Sequence, residues 1–365
     1  MKIKISSTDL NAMLKDATRA VETKGLVPWM TGVLLGAKGE EARAVCTNGT
    51  QTITRYAPCE VIEEGQILVD GKLLTNVASK MQPCTCVIDA TNGKKAVIQA
   101  GGAKTNLALM NAEDFVVPAE IDRKFRIDTD AQQLFGSVKN VLYAVPAVEI
   151  RENLSGVNIQ SKGNVLHFCG LDGFRMAISK VVTDWENEPI NITIPRKTIA
   201  DMMGIFPSLG NEITIVTDGK HIQIGNGAAY IQSQLLAGQY PNYKMIVQNH
   251  KAQSRAKFDV RQLKNAVERA MVVCEGKNNL IKVIVEENGL TVSSMGDAGD
   301  ATELVECSVD GENMEIGFNG RLLLEALGAV NDDEAMLAFS SAVGPALLTA
   351  VDKGNWMHVV LPVRT

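Results

Sequence analysis

The 365-residue sequence is poor in the side chains that enzymes rely on. It has four histidines, His167, His221, His250 and His358, and none stands at metal-ligand spacing from another. Its seven cysteines are an odd number and lie far apart except for Cys84 and Cys86. Without a second Cys pair or a Cys/His cluster there is no zinc signature, and nothing resembles the disulfide framework of a small secreted domain. No apolar run approaches the roughly 20 residues that span a bilayer. The N-terminus, MKIKISSTDL, has a basic start but no apolar core of a signal peptide. A cytoplasmic protein with reduced thiols, no membrane and no cofactor is expected. The run Gly101 to Thr105 (GGAKT) lacks the spacing of a phosphate loop and reads as a hairpin turn. Aromatic residues make up only 5%, so the core must be aliphatic. Trp29, Trp185 and Trp356 share no repeat position, which suits packing better than base stacking. Net positive charge is missing too: 36 basic against 42 acidic residues leave −6, which taken alone argues against a nucleic-acid binder.

What the chain does have is internal repetition. Three segments, starting at Ile67 (ILVDGKLLTNVASKM), Ile192 (ITIPRKTIADMMGIF) and Ile316 (IGFNGRLLLEALGAV), share one pattern. Each alternates apolar and polar residues as a half-buried strand does, turns through Asp-Gly, Pro-Arg or Asn-Gly, then changes to helical spacing. An earlier helix of each repeat recurs more loosely after Ser7, Asp128 and Asp259, with Ser, Thr or Asp placed to cap its first free amides. Short alternating runs broken by Asp-Gly, Asn-Gly and Gly-Asn-Gly predict antiparallel hairpins between them. The expected architecture is α+β: three repeated domains, each two helices on antiparallel sheet. Boundaries fall near Ile121 and near residues 249–254, giving domains 1–120, 121–249 and 250–365.

Charge separates along the same lines. The helical segments carry Lys15, Arg19, Lys72, Lys80, Lys139, Arg196, Lys197, Arg261, Lys264, Arg269 and Arg321 against eight acids. Helices are therefore net basic by +3 while everything else holds −9. Lys72, Lys197 and Arg321 occupy one position in all three copies, in the first turn of the second helix. A cation there opposes the helix dipole at a cost of about 0.3–1 kcal/mol. Phosphate contact would supply a reason to put one there three times.

Five stretches then carry a family resemblance: ENLSGVNI from Glu152, GLDGFRMA from Gly170, LLAGQYPNYKMIV from Leu235, EIGFNGRLLLEAL from Glu315 and HVVLPVR from His358. In this order, on a threefold repeat of this length, the chain resembles the bacterial DNA polymerase III beta sliding clamps. The resemblance implies three clamp domains forming half of a closed ring, completed by a homodimer around duplex DNA without catalysis. It implies Lys24 as a further DNA-facing cation beside Lys15, Arg19, Lys72, Lys80, Lys139, Arg196, Lys197, Lys264 and Arg321. At Val148, Glu152 and Asn153 the chain departs from the family pattern. The resemblance also implies a cleft for short peptides of the replicative polymerase alpha subunit, the clamp loader, other polymerases, ligase and mismatch-repair proteins. That cleft would comprise Leu154, Leu171, Gly173, Phe174, Arg175, Met176, Pro241, Met245, Ile246, Val343, Val359, Val360, Leu361, Pro362 and Val363. The ring interface would involve Leu107 on an edge strand and, from the partner's third domain, Val272 and Val273.

Overall fold

The structure, a computed structural model, describes residues 1–22, 27–122, 124–148, 151–183, 189–274, 279–297, 299–352 and 354–363. Helices form where a strand ends on a capping side chain. Ser6 accepts the Thr8 amide and starts α1 (Ser7–Ala17). Asp70 accepts the Leu73 amide at 2.7 Å and starts α2 (Gly71–Ser79). α3 (Ala131–Leu142), α4 (Arg196–Ile205) and the short α5 (Lys244–Gln248) follow. Asp259 caps α6 (Val260–Val273), and Asn319 caps α7 (Gly320–Gly328). Each capping bond satisfies an amide that the helix itself leaves unpaired.

The first helices of the three repeats bury one stripe each. Leu10, Leu14 and Ala17 of α1 match Leu134, Val138 and Val141 of α3, and Leu263, Val267 and Ala270 of α6. All nine are at most 2% exposed. Burying an aliphatic side chain of this size stabilises by ~1.5–3 kcal/mol, so these stripes hold the helices on their sheets.

The chain divides into two compact units that do not follow the repeats. One comprises Met1–Gln132 with Lys197–Leu235, the other Gln133–Arg196 with Leu236–Thr365. Sheet pairing is the cause. In the first unit an eight-stranded sheet joins four strands of the first repeat to four of the second, with Gln51–Pro58 and Ala229–Gln234 meeting antiparallel and Ile231 opposite Ile53. In the second unit a nine-stranded sheet is joined by Arg175–Val182 and Trp356–Val360, with Ala177 opposite His358. The two joints have one register: Ile231 and His358 are equivalent by their ladders, as are Ile53 and Ala177.

Two sheets stay unjoined. The five-stranded sheet of the first unit ends at Ala103–Ala108, and the four-stranded sheet of the second ends at Gly299–Glu306. The same ladder count makes Thr105 the equivalent of Ile231, and Ala301 the equivalent of Ile53. Both edges thus repeat the strands that meet at the internal joints, yet neither has an outer partner among the described residues.

Candidate functional site

The six longer helices carry nine basic and five acidic residues. Arg19 lies just outside them in a single-turn helix, and Lys80 is the C-cap of α2. Lys72, Lys197 and Arg321 are each the second residue of their helix, as their shared sequence position predicts. Their surroundings differ. Lys197 donates to Asp201 at 2.6 Å, and Arg321 bonds Glu325 at 3.0 Å, both four residues on. Lys72 has neutral Asn76 at that place and stays exposed. Lys15, Lys80 and Lys139 are likewise exposed and form no ion pair with a described acid.

Other expected DNA-facing cations have partners within the protein. Arg196 donates through one guanidinium nitrogen to the carbonyls of Leu142 and Val145, at 2.8 and 2.6 Å, and so closes the C-terminal end of α3. Arg19 lies 3.7 Å from Asp201, and Lys264 sits 4.0 Å from Glu268. Lys24 lies outside the described residues, as does Trp185.

Within the second unit the residues expected to form the peptide cleft gather around one hairpin. Strands Val165–Leu171 and Arg175–Val182 are joined by a turn in which Asp172 Oδ1 accepts the amides of Phe174 and Arg175, both at 2.9 Å. Gly173 takes φ +91°, a conformation side chains disfavour. The Phe174 carbonyl accepts the Leu361 amide at 2.9 Å, tying the chain's last strand to the turn. Leu154, Met176 and Val359 pack with Tyr240, Tyr243 and Leu347, and Leu171 lies against them. Over this floor the exposed apolar groups are Phe174 (62%), Met245 (55%) and Ile246 (38%), with Leu361 also open. Pro241 is exposed, while Pro362 and Val363 are half-buried. Val343 is exposed on the turn four residues before Leu347.

Two expected roles change. Val360 is 1% exposed and belongs to the third repeat's core with Phe258 and Leu348, so it supports the cleft from behind. Arg175 was expected as a cleft residue. Its guanidinium instead bonds Asp172 at 3.0 Å and Glu325, and its carbon stands 5.2 Å from the Tyr143 ring. Burial pushes the Glu325 carboxyl up, but Arg175 and Arg321 outweigh it and hold it below its ordinary value. Tyr240 and Tyr243, absent from the expected cleft residues, are part of the cleft's floor. Two tyrosines three residues apart in so aromatic-poor a chain were the available signal.

The first unit contains a counterpart with different chemistry. A cavity of about 230 Å³ is lined by Gly49, Thr50, Thr52, Asp218, Gln232 and Gln234, among others. Gly49 has φ +89°, almost that of Gly173. Thr50, Thr52, Gln232 and Gln234 stand where the other joint has Phe174, Met176, Val359 and Leu361. One backbone plan thus presents an apolar surface at one joint and a polar one at the other. Burying an apolar side chain there would leave amides and hydroxyls unpaired.

At the expected interface Val272 is 83% exposed and Val273 half-buried. Leu107 lies on the open edge strand, but its side chain is 4% exposed and turned into its own core.

Comparison with known proteins agrees with this architecture. The N-terminal, central and C-terminal domains of the DNA polymerase III beta subunit match residues 1–118, 129–242 and 246–364. A beta sliding clamp of Caulobacter vibrioides strain NA1000 is 27% identical over 373 residues, covering all of both chains. The crystal structure of the Bacillus subtilis DNA polymerase sliding clamp superposes with TM-score 0.95 at 22% identity, covering 100% of this chain and 99% of that one. The Pseudomonas aeruginosa sliding clamp, solved bound to griselimycin, gives 0.96 at 22% over all of both chains. With all three of its domains matched in order along the sequence, this chain belongs to the DNA polymerase III beta subunit family.

Proposed function

We propose that the protein is a DNA sliding clamp, a non-catalytic processivity factor that encircles duplex DNA and tethers the replicative polymerase by a short peptide. Three domains, 1–120, 121–249 and 250–365, make half of a ring that a second copy closes. The observation that carries the closure is the repeated joint. Two of the three possible joints are made inside the chain in one register, and the strands for the third are left as open edges. Pairing Ala103–Ala108 of one copy with Gly299–Glu306 of the other uses both edges head to tail. A second such joint closes the pair, so assembly stops at two. Exposed Val272, Met295 and Leu304 accompany the Gly299–Glu306 edge, as an interface core requires.

The helices supply the DNA-facing surface. About half of their cations already have partners within the protein, which suits a sliding contact: each neutralised phosphate releases counterion and adds salt-dependent friction. Retention is topological and needs no tight grip. The cleft around Phe174 and Met245 takes the apolar anchors of partner peptides from the polymerase alpha subunit, the clamp loader, other polymerases, ligase and mismatch-repair proteins.

Loaded protein should remain on nicked circular DNA and leave linear DNA through its free ends. Equal retention on both templates would refute topological holding. The register is tested by placing Thr105→Cys and Ala301→Cys in one chain. Directly opposed residues of an antiparallel pair are about 4.5–5.5 Å apart, within the range of about 4.4–6.8 Å that a disulfide bridges. Oxidation should give a covalent dimer, whereas Thr105→Cys with Glu303→Cys, two residues out of register, should not. Equal crosslinking of both pairs would remove the proposed register.

A further inference from the structure

The apolar cleft of the second unit has two open walls of different origin. Arg175, Val360 and Ala346 stand on one rung of the nine-stranded sheet, so Phe174, Leu361 and Pro345 leave it at the same end. One wall is α5: Tyr243, the residue that caps it, is buried in the floor, while Met245 and Ile246 stay open. The other wall is the turn between strands Glu334–Phe339 and Ala346–Ala350, which carries Val343, 76% exposed. The turn is tight within itself. The Gly344 amide donates to the Ser341 carbonyl at 3.2 Å, and the Ser340 hydroxyl occupies the place a Gly344 side chain would take. Such packing fixes the turn's shape and leaves its tilt to whatever holds it from outside.

His250 holds both walls. It stands two residues beyond α5, and its amide donates to the Val247 carbonyl at 3.3 Å. Its ring Nε2 lies 3.0 Å from the Pro345 carbonyl. A carbonyl only accepts, so the ring's proton is on Nε2. Burial holds the imidazole below its ordinary pKa, partly opposed by that carbonyl, and so favours the neutral ring. Pro345 has no N–H with which to join a ladder, and its carbonyl otherwise has only the Ser340 hydroxyl, at 3.5 Å, among the described groups. Three residues on, the Gln253 amide donates to the Phe339 carbonyl at 2.8 Å. The segment after α5 is thus pinned to both ends of the Val343 turn, to one by its backbone and to the other by a single side chain.

We infer that His250 is a positioning residue of the cleft, which touches no peptide but holds the Val343 turn at a set distance from Met245 and Ile246. This rests on the reading of the cleft as a peptide site. With both walls in place beforehand, an incoming apolar anchor need not order either of them, and less of its contact energy is lost to that ordering. A bond made wholly within the protein changes affinity only by such preparation of the site.

The test is titration of a labelled peptide of the replicative polymerase against the intact protein and its variants, with thermal unfolding alongside. His250→Ala should weaken binding by about tenfold while the dimer mass and the cooperative unfolding transition are retained. His250→Gln keeps an N–H donor at comparable reach and should bind within about twofold of the unaltered chain. In a Val343→Ala background the turn has little left to offer, so His250→Ala should there cost much less than it does alone. Unchanged affinity in His250→Ala, a Gln variant as weak as the Ala variant, or full additivity with Val343→Ala would each overturn the inference. Phe174→Ala with Met245→Ala checks the cleft reading separately. If that variant binds the peptide as well as the unaltered chain does, the cleft itself is misplaced. If it abolishes binding and His250→Ala does not weaken it, only the present inference fails.

Discussion

Single residues divide here by what their polar atoms already hold. Arg196 and Lys72 are both basic, near the start of a second helix, yet one is a structural clasp and the other is open. Arg196→Ala should expose two unpaired carbonyls, cost about 1–3 kcal/mol and lower Tm. Lys72→Ala should leave Tm unchanged and reduce the salt dependence of DNA contact by about one phosphate. Thermal unfolding beside DNA affinity at several salt concentrations distinguishes them. His358 is another spent group. It is fully buried and Nδ1 lies 3.2 Å from the Ala326 carbonyl; burial lowers its pKa to about 4, partly opposed by that carbonyl. The unfolded chain therefore binds the proton first as pH falls. Stability present above about pH 6.5 should decline through pH 4, by on the order of 3 kcal/mol if this site acts alone. Denaturation midpoints across that window should fall, and His358→Gln should flatten the slope. An unchanged slope would assign the acid response elsewhere.

Elements show why a peptide cleft is not simply its apolar residues. Leu154, Met176 and Val359 form a floor whose loss creates a cavity, whereas Phe174 and Met245 stand open above it. Phe174→Ala with Met245→Ala should abolish peptide binding while dimer mass and Tm hold. Leu154→Ala should cost about 2–5 kcal/mol and so confuse binding with stability. Titration of a labelled polymerase peptide, with unfolding curves alongside, checks both. Loss of the dimer in the Phe174/Met245 variant would reassign those side chains to packing. At the same scale, the second-helix base is legible from sequence at all three sites, but its neutralisation by Asp201 or Glu325 is legible only at two, as a spacing of four.

The whole molecule explains a net charge that looks wrong for DNA. At −6 overall, the sign that matters is local, since charge separated by more than a Debye length of about 8 Å is screened in physiological salt. The six longer helices are net basic, and the rest of the chain holds the excess acid. No helix among the described residues is long and apolar enough to cross a membrane.

Periodicity, capping side chains and turn glycines determined the α+β class, the threefold repeat and the helix starts, because those signals act within a few residues of one another. The stretches carrying the resemblance likewise named Gly173, Pro241, Met245 and Ile246 as cleft residues. Pairing decided the rest. Gln51 and Asp201 meet across 150 residues, and so do Arg175 and Glu325, through sheets that run across the repeat boundaries. No local pattern encodes which strand another strand will accept, so only the fold could separate a free cation from a clasp, a cleft wall from its floor, and a fastened joint from an open edge.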